Sequence, residues 1–254
     1  MFSAKRKAEI LELICDHKQL SVAELLDRFD VSIATIRRDL SGLQKEGLIK
    51  RTRGGAILEK RSLVDLSYQE RERKFIQSKI RIAEKAVEYI EAGDRIFFND
   101  GTTIMQIAKQ LAKKDISISV MTNSIKVADI LLFNKNIDVI LIGGDIREFS
   151  YASSGPLAEL MIDSLNANKA IIGADAFHPE RGVSIHPIAE ASLSRKMISN
   201  SDKVIVVGDS SKMGSIASVT VCKWEQVDVF ITDSINSDAR RKIEGYHVVI
   251  PYLK

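Results

Sequence analysis

Between residues 95 and 251 the sequence repeats one grammar: a short run of β-branched or aromatic residues, a turn of glycine or hydroxyl residues, then a helical stretch. The runs are RIFFND, ISVMTNS, IDVILIGGD, KAIIGAD, KVIVVGDSS and VDVFITD, with HVVIP closing the chain. Near-continuous apolar strands separated by helices need both faces of their sheet covered, which is the condition for a parallel sheet. Right-handed crossovers then bring the C-terminal end of every strand to one edge, where open α/β sheets take their ligands. The pattern predicts an α/β domain over residues 78–254, with the charge-rich, poorly periodic residues 59–77 as a linker ahead of the helix KIRIAEKAVEYI.

The turns along the predicted edge are chemically alike. Asp100, Gly101, Thr102 and Thr103 precede one helix, and Thr122, Asn123 and Ser124 precede another. Two helix N-termini with glycine or hydroxyl donors in one crevice favour an anion, typically phosphate. Gly143 and Gly144 in GGD, and the GAD ending at Asp175, permit close backbone approach, while Lys212 in DSSKMG offers a positive charge. Each alone reads as a plain turn or cap; their convergence predicts a small-molecule pocket. Neither a Walker nor a GxGxxG pattern is present, so no nucleotide is implied and no cofactor is expected.

The first 58 residues follow a different rule. In KRKAEILELICDHKQL, Ala8, Ile10, Leu11, Leu13 and Ile14 keep helical spacing. Ser21 with Glu24 three residues on forms a capping-box pattern, opening a second short helix with Ala23, Leu25, Leu26 and Phe29 as its apolar face. After the turn DVS, Ser32 caps a third helix in which Ile33, Ile36, Leu40 and Leu43 make the core stripe. Ala34, Thr35, Arg37, Arg38 and Ser41 are left facing outward. Two short helices joined by a three-residue turn, the second exposing small, hydroxyl and guanidinium groups, make a helix-turn-helix. Its arginines can reach guanine O6 and N7 or clamp a phosphate, and Asp39 is expected sideways, paired with an arginine. Gly47 then stops the helix. LIKR and AILE read as a hairpin around TRGG, whose glycines can take positive φ, and this wing carries Lys50, Arg51 and Arg53 toward backbone or minor groove.

Charge is distributed accordingly. Residues 1–60 hold 12 Lys and Arg against 9 Asp and Glu, whereas residues 61–254 hold 25 against 25, so the whole excess lies in the segment read as a nucleic-acid-binding head. No apolar run approaches the roughly 18 residues that would span a bilayer, and no secretory or transit pattern is found. A soluble, cytoplasmic protein without a membrane partner is expected. Cys15 and Cys222 lie far apart without histidine company, which argues against a metal site, a redox motif or a disulfide and predicts two core residues.

The N-terminal segment resembles the DNA-binding head of the DeoR family of bacterial transcriptional regulators. The spaced positions that carry the resemblance are Arg6, Ile10, Ile14, Ser32, Thr35, Ile36, Arg37, Arg38, Asp39 and Leu40, followed by RTRGGA, where Arg53 stands in place of a common histidine. The resemblance continues through Arg71 and Lys79, then GTT, TNS, LIGGDIR, GPLAE, GADAFHPERGVS, IAEAS and DSSKMG. It implies a winged helix-turn-helix head followed by a sensor domain similar in fold to sugar-phosphate isomerases and binding phosphorylated sugars. It also adds Asn99, where the family often has Asp, and Glu190 to the pocket. Ser184 and His186 lie in a loop, SIHPIAE, that departs from the common Thr-rich, acidic version.

The expected function combines the two parts. The chain reads as a repressor of a sugar catabolism or transport operon, gripping double-stranded operator DNA and released by a phosphorylated sugar; the resemblance implies a homodimer or homotetramer. The alternative is a sugar-phosphate isomerase or deaminase with an appended head, for which Asp175 and Glu190 are the candidate bases. GADAF lacks the second acidic residue that active isomerases of this resemblance carry beside Asp, so no catalytic residue is assigned. A nonspecific architectural DNA binder, with affinity strongly dependent on salt, is the third possibility.

Overall fold

Residues 6, 7, 9, 10, 13, 14, 19–29, 31–45, 49–52, 54–58 and 68–251 are described in a computed structural model of the chain. It divides into two compact units, Met1–Leu66 and Ser67–Lys254.

The first unit opens with helical residues that bury Ile10 and Ile14. Strand β1 (Gln19–Ser21) leads into α1 (Val22–Arg28), where Ser21 accepts from the Glu24 amide and Glu24 accepts in return, the expected capping box. Helix α2 (Ile33–Lys45) follows, then β2 (Ile49–Arg51) and β3 (Gly55–Leu58). The hairpin is as expected, but β1 joins it to give an antiparallel sheet in the order β1-β3-β2. Neither Gly54 nor Gly55 adopts a left-handed backbone. What requires glycine at 55 is the neighbouring strand, because a Cβ there would lie 2.1 Å from the Leu20 carbonyl oxygen. Leu25, Phe29, Ile36, Leu40, Leu43, Ile49 and Ala56 complete the core with Ile10 and Ile14. Ile33 does not belong to it: at 46% exposure it sits on the first turn of α2, and the buried stripe begins one turn later at Ile36. Asp39 pairs with an arginine, as expected, but it is buried rather than lateral, 2.6 Å from Arg6 Nε.

In the second unit α3 (Tyr68–Arg73) and α4 (Ile76–Val87) precede β4 (Arg95–Phe98), α5 (Thr102–Leu111), β5 (Ile118–Thr122), α6 (Ile125–Leu131) and β6 (Ile137–Leu141). The hairpin β7 (Asp145–Arg147) and β8 (Ala152–Ser154) leads through α7 (Pro156–Asp163) to β9 (Ala167–Gly173). A small antiparallel sheet, β10 (Ala176–His178), β11 (Gly182–Ile185) and β13 (Val219–Cys222), surrounds α8 (Ile188–Ser199) and β12 (Ser201–Val207) in the chain; β14 (Val229–Ile231) and α9 (Ser237–Glu244) close it.

Six strands form one parallel sheet in the order β14-β12-β9-β4-β5-β6. Both faces are covered, which explains the unbroken apolar runs: on β4, Phe97 enters one core with Ile172, Val206 and Phe230, while Ile96 and Phe98 enter the other with Ile104, Ile205 and Val207. The seventh run, HVVIP, contributes only a bridge between Val249 and Val229. Cys222 is buried, its thiol pushed up to about 12 by loss of water; Cys15 lies outside the described residues. Among the described residues no helix is long and apolar enough to cross a membrane.

The expected linker is shorter than its charge suggests. Residues 59–67 lie outside the described residues, but Tyr68–Arg73 is helical and Tyr68 is buried, its ring edge-on to Tyr151 at 5.3 Å and its hydroxyl donating to Met105 Sδ at 3.3 Å. Helix α4 likewise starts at Ile76, ahead of the Lys79 at which the sequence pattern begins it. Of the charged side chains that resemble a solvated connector, Arg73 is exposed, while Arg71 and Glu72 are half-buried in helices docked through Tyr68 and Lys79.

Candidate functional site

On the head, α2 separates a buried stripe from an outward one. Ile36, Leu40 and Leu43 are buried, while Ala34, Arg37 and Arg38 are exposed and Ser41 is half-buried, at i, i+3, i+4 and i+7 of a single face. The start of that face is fixed by Ser32, whose Oγ accepts from the Thr35 amide at 3.2 Å and shares a hydrogen bond with Thr35 Oγ1 at 2.9 Å. Its far end is tied to the wing. Ser41 Oγ donates to the Arg37 carbonyl at 2.7 Å and accepts from Arg51 Nη1 at 2.9 Å, so an exposed arginine of β2 is held beside the helix. Ser32, Thr35, Ser41 and Arg51 therefore build and brace the ridge, and Arg37 and Arg38 are its outward cations. Arg53 lies outside the described residues.

In the second unit the sheet order sets the place of the pocket. The chain proceeds from β4 to β5 and β6 on one side, then returns to lay β9, β12 and β14 on the other. Beyond the C-terminal ends of β4 and β9 the connections diverge, which opens a crevice. Asn99, at the end of β4, does not line it as a ligand group: its Nδ2 donates to the Gly173 carbonyl (2.9 Å) and Ser194 Oγ (3.2 Å), and its Oδ1 accepts from the Gly173 amide (2.8 Å). The carboxamide bolts the two diverging strands together.

The next residues form the cradle. Gly101 precedes α5 at φ 125°, a backbone that favours glycine, and provides no side-chain cap, so the first amides of α5, which have no acceptor within the helix, receive none from the capping position. Thr102 and Thr103 are buried, and Thr103 Oγ1 has no partner among the described residues. The second helix terminus differs from expectation. Ser124 caps α6 by accepting from the Val127 amide at 3.4 Å, and the Ile125 amide donates to the Tyr151 carbonyl, so that end is already closed. Thr122 Oγ1 is likewise engaged by the Ser124 amide at 3.1 Å, while Asn123 Nδ2 donates to the Ser153 carbonyl and leaves Asn123 Oδ1 buried without a partner among the described residues. Gly144 is accounted for by β8, since a Cβ there would sit 2.5 Å from the Ser154 carbonyl oxygen; Gly143 has open space.

Charges of both signs converge here. Burial pushes the Asp100 carboxyl up to about 8, reinforced by the nearby Glu190 and opposed by Arg71. At neutral pH that carboxyl is mostly protonated and can donate a hydrogen bond. Glu190, in the first turn of α8, is also raised by burial, although it accepts from Ser150 Oγ and Arg147 Nη1, both at 2.7 Å, with Asp175 adding repulsion. Asp175 Oδ2 accepts from the His186 amide at 2.8 Å, and the His186 ring meets Ser218 Oγ at 2.8 Å. Ser184 Oγ accepts from the Ala217 amide at 2.8 Å. Opposite in sign, Lys79 is buried and pushed down to about 8, by loss of water first and by Lys212 second. Lys212 Nζ donates to the Ala174 carbonyl at 2.5 Å, at the end of β9.

Asp100, Asp175, Glu190, Lys212 and the start of α5 are thus brought together as expected. Arg147 closes the LIGGDIR motif of the resemblance without having been assigned to the pocket, and Ser150, from the turn of the same hairpin, was not anticipated from sequence, since no periodicity marks it. Arg71 and Lys79 had only the family resemblance to single them out.

A basic helix-turn-helix ridge and a parallel-sheet domain with an uncapped, anion-receptive helix terminus define a DNA-binding regulator with a sensor domain. The chain belongs to the DeoR family: residues 6–62 match the DeoR-like helix-turn-helix domain and residues 74–234 the DeoR C terminal sensor domain. It is 36% identical over 251 residues, 98% of each chain, to the HTH-type transcriptional regulator GlpR of Haloferax volcanii. It is 31% identical over 236 residues, 92% of each chain, to the lactose phosphotransferase system repressor of Lactococcus lactis. Among solved structures it is similar to ribose 5 phosphate isomerase A of Neisseria gonorrhoeae, at 23% identity and a TM-score of 0.40 over 54% of this chain and 53% of that one.

Proposed function

We propose that this regulator is a cytoplasmic repressor of a sugar catabolism or transport operon, that it grips double-stranded operator DNA through Arg37 and Arg38 with the wing beside them, and that a phosphorylated sugar releases it. The observation that carries the reading is the pairing of the exposed Ala34-Arg37-Arg38-Ser41 face with an uncapped α5 terminus flanked by Lys79 and Lys212. The anion binds at Gly101–Thr103. Asp100, Asp175 and Glu190 supply donors and acceptors for hydroxyls, with Asn123 Oδ1 as a further acceptor. The name of the lactococcal relative, a repressor of a sugar uptake system, agrees. Release requires that the sugar phosphate bind the DNA-competent and the released states unequally.

A two-fold operator needs two heads, so the working form is a homodimer or homotetramer. The apolar residues that α7 and the edge strand β6 leave exposed, among them Leu157, Leu160 and Leu141, are in keeping with a further copy. The isomerase reading is favoured by one observation, the cluster of Asp100, Asp175 and Glu190. An isomerase assay on sugar phosphates separates the two, since turnover supports an enzyme and binding without turnover a sensor. The deciding experiment is a gel shift on the DNA upstream of the chain's own gene with a panel of sugar phosphates: retardation that one of them reverses is expected, and retardation insensitive to all of them refutes the sensor.

A further inference from the structure

The segment that enters the second unit carries a further cation of the pocket. Arg71 lies in α3, a few residues past the boundary at Leu66. Its guanidinium stacks on the Tyr68 ring at 5.7 Å and the Phe149 ring at 4.9 Å, and Nη2 donates to the Phe149 carbonyl at 3.2 Å. Nε is buried with no partner among the described residues. The Arg71 carbonyl accepts from Lys79 Nζ and, at 3.4 Å, from Thr102 Oγ1, so this residue meets the first turn of α5. One position along that turn is Thr103, 2% exposed, whose hydroxyl also has no partner among the described residues. A guanidinium nitrogen and a hydroxyl, both buried and without a partner among the described residues, thus belong to α3 and to the first turn of the helix it meets, with the arginine's charge within electrostatic reach of Asp100 just ahead of that turn. Leaving a charged donor buried without an acceptor costs more than losing a neutral hydrogen bond, so the group that completes this place is an anionic oxygen cluster. Asp100 and Glu190 lie within electrostatic range of the guanidinium, but neither accepts from Nε.

The remaining contacts of α3 run along the same helix. Tyr68 Oη donates to Met105 Sδ, and Glu72 Oε1 pairs with Lys109 Nζ at 3.1 Å. Thr102, Met105 and Lys109 fall at i, i+3 and i+7, one face of α5. Whatever joins Arg71 Nε to the start of α5 therefore tightens a docking already made along its length.

We propose that Arg71 Nε, with Thr103 Oγ1 and the first amides of α5, holds the effector's phosphate group, and that this grip clamps α3 onto α5. The ligand thereby fixes the segment from which the head is tethered. This rests on the sugar-phosphate reading above and adds its route to the head: the free energy of phosphate capture is shared with the anchoring of residues 68–73, and a ligand that favours the clamped state shifts its population.

The test uses the full-length protein, inorganic phosphate as probe and chloride at equal ionic strength as control, with phosphate affinity and hydrogen exchange of residues 67–75 as readouts. In the wild type, phosphate slows exchange over 67–75. In Arg71→Gln, phosphate affinity falls about tenfold, the loss of one charged hydrogen bond, and the slowing disappears even at saturation. Arg71→Lys keeps the charge without the Nε fork and behaves like Arg71→Gln in exchange; it also decides the matter if Arg71→Gln does not fold. Wild-type affinity in both variants, or unaltered slowing, overturns the clamp. If Thr102→Asp abolishes phosphate binding while the Arg71 variants keep it, the pocket stands and only the clamp falls. A wild-type protein that takes up no phosphate removes both.

Discussion

Removing Asp39 tests how the DNA-reading helix is held. The Arg6–Asp39 pair is 2.6 Å long, with side chains only 8% and 3% exposed, and it joins the leading helical residues to α2 between Arg38 and Leu40. Truncating one partner of a buried ion pair removes the other charge's ion-pair partner and costs about 3–5 kcal/mol. The head's whole stability is of the same order, roughly 3–10 kcal/mol for a unit ending at Leu66, taking about 0.05–0.15 kcal/mol per residue. Asp39→Ala should therefore unfold most heads or bring them to the edge of unfolding while leaving the sensor domain's transition in place. Urea titration of the full chain, read by probes in each unit, measures the first loss, and an operator titration measures its consequence. Simple electrostatics predicts the opposite sign for DNA, since deleting an acidic residue beside Arg38 should tighten binding. Replacing both partners with leucine should recover stability to within about 1 kcal/mol, because neither member is then a buried charge facing a truncated partner. If Asp39→Ala costs less than about 1 kcal/mol, or strengthens the operator complex, the pair does not hold the helix.

Arg37→Ala should weaken operator binding by about 1–3 kcal/mol with relaxed specificity if the contact is a bidentate base pair, and an unchanged titration would remove Arg37 from the interface. Thr102→Asp should abolish the response to the inducer while sparing DNA binding, because a carboxylate takes the anion's place; continued release by the sugar phosphate would contradict the pocket. Gly55→Ala should disrupt the β1–β3 pairing, as its Cβ would lie 2.1 Å from the Leu20 carbonyl oxygen, and amide exchange across Gln19–Ser21 at the wild-type rate would refute it. Asp100 keeps its proton to about pH 8 when folded and loses it near 4 when unfolded. The folded chain thus binds more protons in that window, and the sensor domain should lose stability as pH rises from 4 to 8. Asp100→Asn should flatten this fall, and identical pH profiles for the two proteins would show the carboxyl ionises normally.

What the sequence determined by itself is what repeats along the chain. Apolar runs with glycine or hydroxyl turns specify parallel strands and their common edge, because burial on both faces leaves no other use for them. The capping box at Ser21 and Glu24 and the spacing of Ile36, Leu40 and Leu43 likewise specify α1 and the core face of α2, since capping and helical period are local matters. Only the tertiary structure decided which polar groups remain available. Asn99 and Ser124 look like ligand groups in sequence, but packing turns them to Gly173 and α6, whereas Arg71 and Lys79, in a stretch resembling a solvated linker, are brought against α5. Whether a polar atom meets a ligand depends on which distant backbone reaches it first, and that is set by how strands cross over and helices dock rather than by neighbours in the chain. The same holds for Asp39, whose partner lies 33 residues away.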